Sequence, residues 1–459
     1  MSRRLFGTNG IRGVANRELT PELALRVGLA VGAYFGGGRL IVGRDGRFGS
    51  LMVQRAVEAG LHSAGSTIYD VGVMPTPAIQ YAVKHFGMDG GVIITASHNP
   101  PEYVGIKVVA SNGVELPREE EVKVEEIFFE EKFLRADWRG LGSTHRLSGV
   151  LDVYLEAVKS HVDVDAIRRR GFRVVVDPGN GVGALSTPRL LRELGCRVYA
   201  INSHIDGSFP GRPPEPRPEY LGGLSNAVRD VGADLGAAHD GDADRTLFAD
   251  DRGVVHWGDR TFALLEREFL RENPGELIVT PISSCTIIED VAKEMGGRVR
   301  WTRVGSVVVS HAMLETGAKL GAEENGGIFY GPHQPVRDGA MAVALMLDLL
   351  AREKRPLSEL LDELPRYYIE KARVEYPVEL RDAIMDELRR RVKGERVVTI
   401  DGVKVWFGDG SSILVRPSGT EPVYRLYAEG RTEERPKELV EEFRGMLQEI
   451  IVELRGGRS

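Results

Sequence analysis

The chain has 459 residues, of which 42% are hydrophobic and 28% charged, and its formal net charge is -7. The length exceeds the roughly 250–300 residues that one hydrophobic core serves, so we expect three or four domains. The negative charge argues against a nucleic-acid-binding surface, and since no apolar run approaches the ~20 residues of a membrane span, a soluble cytoplasmic protein without membrane contact is expected.

A pattern of strand, small-residue break and helix recurs along the chain. Short β-branched runs at 40–42, 173–176 and 277–279 predict strands, and helix-period segments follow them at 51–60, 187–194 and 286–295. This alternation predicts parallel, doubly wound sheets with helices on both faces.

The pattern divides the chain into four predicted domains. We expect three similar doubly wound α/β domains at 1–150, 151–251 and 252–366, with a solvated acidic helix at 119–132. From 367 to 459 the alternation becomes strand-like and ends in a helix at 436–454. This part is predicted to be a smaller α+β domain.

The segment GVIITASHNP, at 91–100, ends an apolar strand in small and polar residues. Open α/β sheets bind ligands at the carboxyl ends of their strands, so the hydroxyl of Ser97 is well placed to act as a nucleophile. The alternative is a turn serine before an Asn-Pro stop.

The segment DLGAAHDGDADR, at 234–245, places Asp240, Asp242 and Asp244 at alternate positions after a strand. Two such charges ~5 Å apart repel by roughly 3 kcal/mol at an effective dielectric near 20. The trio therefore indicates a cation, and oxygen ligands favour Mg²⁺. A solvated acidic turn is the alternative, but the preceding strand and the following Arg245 favour a metal site.

Two further loops carry ligand-binding chemistry. In GDGSSILVRPSGTEPVYR, at 408–425, exposed amides, hydroxyls and guanidinium groups could form a phosphate cradle, and a plain turn is equally consistent. Its candidate residues are Arg416, Ser418, Gly419, Thr420 and Arg425. The loop GAEENGG, at 321–327, offers Glu323, Glu324 and Asn325 to sugar hydroxyls, or forms a hairpin turn.

Together FGTNGIRG, TASHNP, DGDADR, EENGG and RPSGTEP resemble the α-D-phosphohexomutases, which include phosphomannomutase, phosphoglucomutase and phosphoglucosamine mutase. The motifs span almost the whole chain, and EENGG is most similar to archaeal members. The resemblance implies interconversion of hexose 1-phosphate and hexose 6-phosphate, with a hexose 1,6-bisphosphate as intermediate and activator and a sugar phosphate as the bound partner.

The resemblance also implies roles for single residues. Ser97 resembles the phosphoserine, which would complete a Mg²⁺ site with Asp240, Asp242 and Asp244. The sugar loop would use Glu323 and Asn325, a second specificity loop Gly305 and Ser306, and the distal phosphate site Arg416, Ser418, Gly419 and Thr420. Arg12, Lys107 and Arg245 would lie near the reacting groups.

Two positions depart from the family pattern. Val104 stands where many members have asparagine, and Gly327 stands where bacterial relatives have a histidine that is a candidate general base. We therefore expect Lys107 to assist proton transfer with a lowered pKa, or to serve as a fixed cation. His98 and His333 are the alternative bases.

Three other classes of protein compete with this interpretation. A DxDxT pattern at 242–246 is typical of aspartyl-phosphate phosphatases, although there it opens the domain. A GxGxxA pattern at 179–184, with Asp206 further on, weakly indicates a dinucleotide-dependent oxidoreductase. A non-enzymatic sugar-phosphate sensor would need the phosphate cradle but no reactive serine.

Overall fold

Four β-sheets follow one another along the chain in the computed structural model, which describes residues 4–418 and 421–456. The first has the strand order β1-β5-β4-β2-β3-β6. Its strands are β1 Ile11–Val14, β2 Arg39–Arg44, β3 Thr67–Val73, β4 Gly90–Ile94, β5 Tyr103–Ala110 and β6 Ser143–Arg146. Its helices are α1 Pro21–Tyr34, α2 Ser50–Ser63, α3 Thr76–His85 and α4 Arg118–Phe129.

The second sheet has the order β10-β9-β7-β8. Its elements are α5 Val150–Lys159, α6 Val164–Arg170, β7 Arg173–Asp177, α7 Gly183–Glu193, β8 Arg197–Ala200, α8 Gly222–Val231, β9 Leu235–His239 and β10 Thr246–Ala249. Strand β9 is short and wholly buried, and it is apolar up to His239, so the acidic residues that follow it begin at the sheet edge.

The third sheet has the order β12-β11-β13-β14-β15. Its strands are β11 Leu277–Pro281, β12 Arg298–Thr302, β13 Leu320–Glu323, β14 Gly327–Tyr330 and β15 Gln334–Arg337. Its helices are α9 Gly258–Glu272, α10 Ile287–Glu294, α11 Ser306–Thr316, α12 Gly339–Glu353 and α13 Leu357–Asp362.

The last sheet is antiparallel, in the order β16-β20-β19-β18-β17. Its elements are β16 Tyr368–Glu375, α14 Arg381–Arg391, β17 Arg396–Val398, β18 Val403–Trp406, β19 Ser412–Pro417, β20 Val423–Gly430 and α15 Glu434–Gly456. Helix α15 buries Leu439, Phe443 and Leu447 against this sheet, as expected for an amphipathic helix.

The predicted fold class is confirmed, since three α/β domains precede a smaller α+β domain. The predicted strands at 40–42, 173–176 and 277–279 lie within β2, β7 and β11. The expectation of parallel sheets holds for the central strands but not for the edges, where β1 and β5, β10, and β14 and β15 run antiparallel. Short connections such as the one between β13 and β14 permit only antiparallel pairing.

The helix predicted at 119–132 is present as α4, but its expected full solvation is wrong. Glu121 and Glu125 are buried, and Glu125 accepts hydrogen bonds from the backbone N–H groups of Leu5 and Phe6, both at 2.8 Å. Arg118 pairs with both carboxylates. Glu125 thus ties the N-terminal segment to α4.

Within the described ranges, no helix combines the length and the apolar character needed to cross a bilayer.

Candidate active site

Ser97 lies in the loop between β4 and β5, at the carboxyl end of β4. It is fully buried and has a φ of 51°, a left-handed conformation that costs a non-glycine residue about 1–2 kcal/mol. Its N–H donates to Thr95 Oγ1 at 2.9 Å. Such local strain needs support from the surrounding structure.

Arg47 supplies that support and was missed by sequence reasoning. Its buried guanidinium donates to the backbone carbonyls of Ser97, Asn99 and Pro100 at 2.7, 2.7 and 2.6 Å, and pairs with Asp45 at 3.1 Å. The only signal in the sequence was its place in GRDGR, just after the buried strand β2. Arg47 fixes the backbone on which Ser97 is presented.

The aspartates lie in the loop between β9 and β10, which meets the serine loop. Ser97 Oγ donates to Asp240 Oδ2 at 2.8 Å and lies 3.3 Å from His98 Nδ1. The other oxygen of Asp240 accepts from the backbone N–H groups of Asp244 and Arg245, both at 3.1 Å. Two loops of different domains therefore join the hydroxyl to the acid cluster.

Each remaining aspartate has one oxygen held by the protein. Asp242 Oδ2 accepts from Thr76 Oγ1 at 2.8 Å, and Asp244 Oδ2 accepts from Arg337 at 2.5 Å. Their Oδ1 atoms are buried and have no hydrogen-bond partner among the described residues. One oxygen from each of the three aspartates lies within 4.8 Å of the others. Buried, unpartnered carboxylate oxygens at this spacing suit a hard divalent cation such as Mg²⁺.

The electrostatics of the three aspartates are consistent with a site for a divalent cation. Burial, followed by the charges of Asp244 and Asp242, raises the pKa of Asp240 well above its usual range. Burial would also raise the pKa of Asp242, but Lys107 and Arg337 hold it below its usual range. Burial and mutual repulsion thus oppose the ionised form of Asp240, and a bound divalent cation would favour that form.

Lys107, on β5, enters the same cluster. Its ammonium lies 3.2 Å from Glu115, 3.5 Å from Asp242 and 3.6 Å from Asp244. Burial alone would lower the pKa of Lys107, but these three carboxylates raise it above its ordinary value. The expectation of a lowered pKa is therefore wrong, because the neighbouring acids outweigh the neighbouring cations.

Arg12 and Arg245 also face the cluster. Arg12, on β1, donates to the backbone carbonyl of Asn9 at 3.1 Å and to Asn99 Oδ1 at 2.5 Å, and burial lowers its pKa to about 10. Arg245 lies 3.6 Å from Glu215 and 4.0 Å from Asp240. These guanidinium groups keep donors available for an anion.

The two candidate histidines lie in different places. Burial, followed by the charges of Arg245 and Arg12, lowers the pKa of His98 well below its usual range, so His98 is neutral beside Ser97. His333 instead stacks on Tyr81, with ring centroids 5.0 Å apart, and lies 3.4 Å from Asp338. It belongs to an aromatic cluster of the domain interface rather than to the aspartate loop.

The predicted sugar loop follows β13. Glu323 is buried and accepts from Arg337 at 3.0 Å, while Asn325 Oδ1 accepts from the N–H of Gly327 at 3.2 Å. Glu324 points to the last domain, where it pairs with Lys371 at 3.1 Å. Of the loop's two acids, Glu323 is the one that the fold brings to the aspartate cluster.

The second specificity loop opens helix α11. Gly305 has a φ of 138° and precedes Ser306, whose hydroxyl donates to Asn9 Oδ1 at 3.3 Å. Asn9 belongs to the FGTNGIRG segment. This loop of the third domain therefore contacts the N-terminal loop of the first.

The last domain presents arginines on neighbouring strands. Arg416 on β19 and Arg425 on β20 are cross-strand partners, paired respectively with Asp401 at 3.1 Å and Glu421 at 3.4 Å. Arg373 on β16 is the next cross-strand partner of Arg425 and was not singled out from the sequence. Ser418 follows Arg416 and is buried, whereas Gly419 and Thr420 lie outside the described residues.

The glycines at 179–184 have a local structural role. A Cβ on Gly179 would lie 2.7 Å from the guanidinium of Arg212, and a Cβ on Gly181 would lie 2.6 Å from the carbonyl oxygen of Gly241. Asp206 accepts hydrogen bonds from Ser208 within a turn. The glycines thus make room for Arg212 and for the aspartate loop. These groups fill the space that a bound dinucleotide would need.

Comparison with known proteins accounts for this arrangement. Profiles described as phosphoglucomutase/phosphomannomutase α/β/α domains I, II and III match residues 3–135, 152–253 and 257–368, and the C-terminal domain profile matches 371–446. The chain belongs to the phosphoglucomutase/phosphomannomutase family. It is accordingly a phosphohexomutase, an intramolecular phosphotransferase.

Individual relatives agree over the full length. The chain is 46% identical to a Thermococcus kodakarensis phosphoglucomutase/phosphomannomutase, covering 98% of this chain and 99% of the relative. It is 45% identical to a Sulfurisphaera tokodaii phosphoglucosamine/phosphogalactosamine mutase, with 97% and 99% covered. A Burkholderia thailandensis phosphoglucomutase/phosphomannomutase family structure matches at 30% identity with a TM-score of 0.88, covering 97% of both chains.

Proposed function

We propose that this phosphohexomutase works through a phosphorylated Ser97. The phosphoserine donates its phosphoryl group to the free hydroxyl of a hexose phosphate, which gives a hexose 1,6-bisphosphate. The bisphosphate turns over in the cleft, and its other phosphate returns to Ser97. The observation that carries the proposal is the buried Ser97 hydroxyl, held 2.8 Å from Asp240 beside two buried carboxylate oxygens that accept no hydrogen bond from the described residues.

In this proposal Asp240, Asp242 and Asp244, together with the phosphorylated Ser97, would hold Mg²⁺, which when bound would supply charge neutralisation. The residues of the site supply position and electrostatic stabilisation. The charges of the transferring phosphoryl group are also offset by the cations beside it, Arg12, Arg245 and Lys107. His98 is placed to contact the serine oxygen. The cytoplasm is the proposed location.

The remaining domains hold the sugar. Glu323 and Asn325 would contact sugar hydroxyls, with Gly305 and Ser306 forming the second side of the subsite. Arg416, Ser418, Gly419, Thr420 and Arg425 would bind the distal phosphate. A bidentate guanidinium is well suited to this site, which must hold whichever of the two phosphates is not reacting.

Mannose, glucose and glucosamine phosphates are the proposed substrates. Assaying the three 1-phosphates side by side, each with its 1,6-bisphosphate, determines the preference. A phosphatase would release inorganic phosphate from the same substrates, and a sensor would bind them without turnover.

Ser97→Ala tests the carrier role. We expect it to bind sugar phosphate with nearly unchanged affinity, to lose turnover by several orders of magnitude, and to lose the phosphate adduct in intact-mass spectra. Ser66→Ala, which changes a buried serine of the same domain away from the loop, is the matched control. Activity of Ser97→Ala within tenfold of wild type would exclude the proposal.

A further inference from the structure

Arg337 joins two loops that come from different domains. It ends β15, is 3% exposed, and donates through one terminal nitrogen to Asp244 at 2.5 Å and through the other to Glu323 at 3.0 Å. A guanidinium is a rigid planar fork that can hold two carboxylates at once, whereas an ammonium is a point donor on a flexible stem. The bridge therefore depends on arginine at this position.

Gly327 makes room for that bridge. A Cβ at Gly327 would lie 2.5 Å from Cδ and 2.9 Å from Cγ of Arg337. The backbone of Gly327 lies outside the left-handed region, so the requirement for glycine here is one of space. Any side chain at this position would require Arg337 to move.

The bridge sets the orientation of both carboxylates. Because Arg337 holds Asp244 Oδ2, the buried Oδ1 atom is left without a hydrogen-bond partner among the described residues, as a metal ligand requires. On the other side, Arg337 fixes Glu323, which ends β13 within the predicted sugar loop. A shift of Glu323 toward a bound sugar would therefore move Arg337 and, through it, the carboxylate of Asp244.

We propose that Arg337 is a positioning residue that couples the sugar loop to the metal loop, and that Gly327 is required to admit it. The inference rests on the proposed function, because it is that function which gives Glu323 a sugar and Asp244 a metal ion to bind. Arg337 carries a permanent charge and takes no proton. Its role is to hold the two carboxylates in a fixed relation.

Two variants disrupt the bridge by independent routes. Arg337→Lys keeps the charge but removes the fork, and Gly327→Ala keeps the arginine but displaces it. Arg300→Lys changes an exposed arginine paired with Glu315, and Gly445→Ala adds a Cβ that, beyond its own helix turn, has no atom of the described residues within 4 Å. These two substitutions are the matched controls.

The first measurement is Mg²⁺ affinity by calorimetry on the full chain without sugar. We expect both variants to raise the Mg²⁺ dissociation constant by about tenfold or more, since loss of a partner that orients a metal ligand commonly costs about 10–100-fold. The controls should match wild type. Unchanged Mg²⁺ affinity in both variants would overturn the proposal.

The second measurement is the coupling between metal and sugar. With Ser97→Ala as background, the affinity for glucose 1-phosphate is measured with saturating Mg²⁺ and with chelator. We expect the two affinities to differ in the background protein and to come within about twofold of each other once the bridge is broken. A purely structural role would lower the melting temperature and leave the affinity ratio unchanged, which would refute the coupling.

A double substitution tests the steric part. In an Arg337→Ala background, Gly327→Ala should cause no further loss of kcat/KM, because the Cγ and Cδ atoms that its Cβ would meet are absent. Additive losses would show that Gly327 has another role. Failure of the proposed function is seen separately, as wild-type enzyme that converts none of the three hexose 1-phosphates.

Discussion

At the scale of single residues, the site is a balance of buried charges. The carboxylates of the aspartate loop are matched by Lys107, Arg337 and Arg245, all within 4.0 Å of one of them. Buried charges are costly unless paired. A phosphoserine adds a charge of about -1.5 to -2, and Mg²⁺ would offset it. Phosphorylation and metal binding together would therefore leave the net charge of the site nearly unchanged, whereas either one alone would change it.

The raised pKa of Lys107 predicts its behaviour on substitution. If Lys107 acts as a fixed cation, Lys107→Met should lose most of kcat in prephosphorylated enzyme, while Lys107→Arg should keep a clearly larger share. The pH–rate profile of Lys107→Arg should keep the wild-type shape. Equal loss in both variants, with one limb of the profile missing, would instead support proton transfer by Lys107.

At the scale of elements, the sequence was informative wherever a strand ended in polar residues. The loops after β4, β9 and β13 were predicted from the change between an apolar run and small or charged residues. The partners that hold these loops were not predictable. Thr76 begins a helix in another domain and Arg337 ends a strand in a third, and neither has a local pattern that points to the aspartates.

The raised pKa of Lys107 was missed for the same reason. Sequence reasoning weighed it against arginines and a metal, which would lower its pKa. The structure adds Glu115, which approaches from the turn after β5 at 3.2 Å. Gly327 was read as the absence of a histidine, and only the packed structure reveals Arg337 in that space.

The aspartate loop predicts how stability responds to pH and metal. The pKa of Asp240 is raised in the folded protein, so binding of a proton to Asp240 stabilises the metal-free fold. This stabilisation is complete below the unfolded-state pKa of about 3.9 and is lost as the pH rises through the folded-state pKa. Mg²⁺ competes with that proton. The rise in melting temperature on adding Mg²⁺ should therefore be larger at pH 8 than at about pH 5.5.

The matched control for this prediction is Asp240→Asn. Comparing samples with and without Mg²⁺ at each pH removes contributions common to both, including that of Asp259, whose pKa burial raises to about 7. Asp240→Asn should show a small metal effect at both pH values. A metal effect in wild type that is equal at both pH values would contradict the assignment of Asp240 as the proton-binding ligand.

At the scale of the whole molecule, the proposed site draws on all four sheets, so the relation of the last domain to the third matters for binding. Glu429 on β20 is buried and accepts hydrogen bonds from the backbone N–H of Thr286 at 3.1 Å and from Ser412 at 2.6 Å. It also pairs with Lys404 at 3.6 Å. Because Thr286 immediately precedes α10, Glu429 caps a helix of the neighbouring domain, where a negative charge is favourable.

This cap predicts the effect of loosening the last domain. Glu429→Gln removes the charge that holds β20 to α10, so more conformational freedom must be lost when Arg416 and its neighbours close on a distal phosphate. We expect KM to rise by about tenfold, as for the loss of one charge-assisted hydrogen bond, with kcat within about threefold of wild type. Arg416→Ala should raise KM in the same direction, and Glu453→Gln, which changes an exposed ion pair on α15, should change neither constant. A large fall in kcat at unchanged KM would mean that Glu429 affects the chemical step, because a weakened distal anchor acts equally on the bound substrate and its transition state.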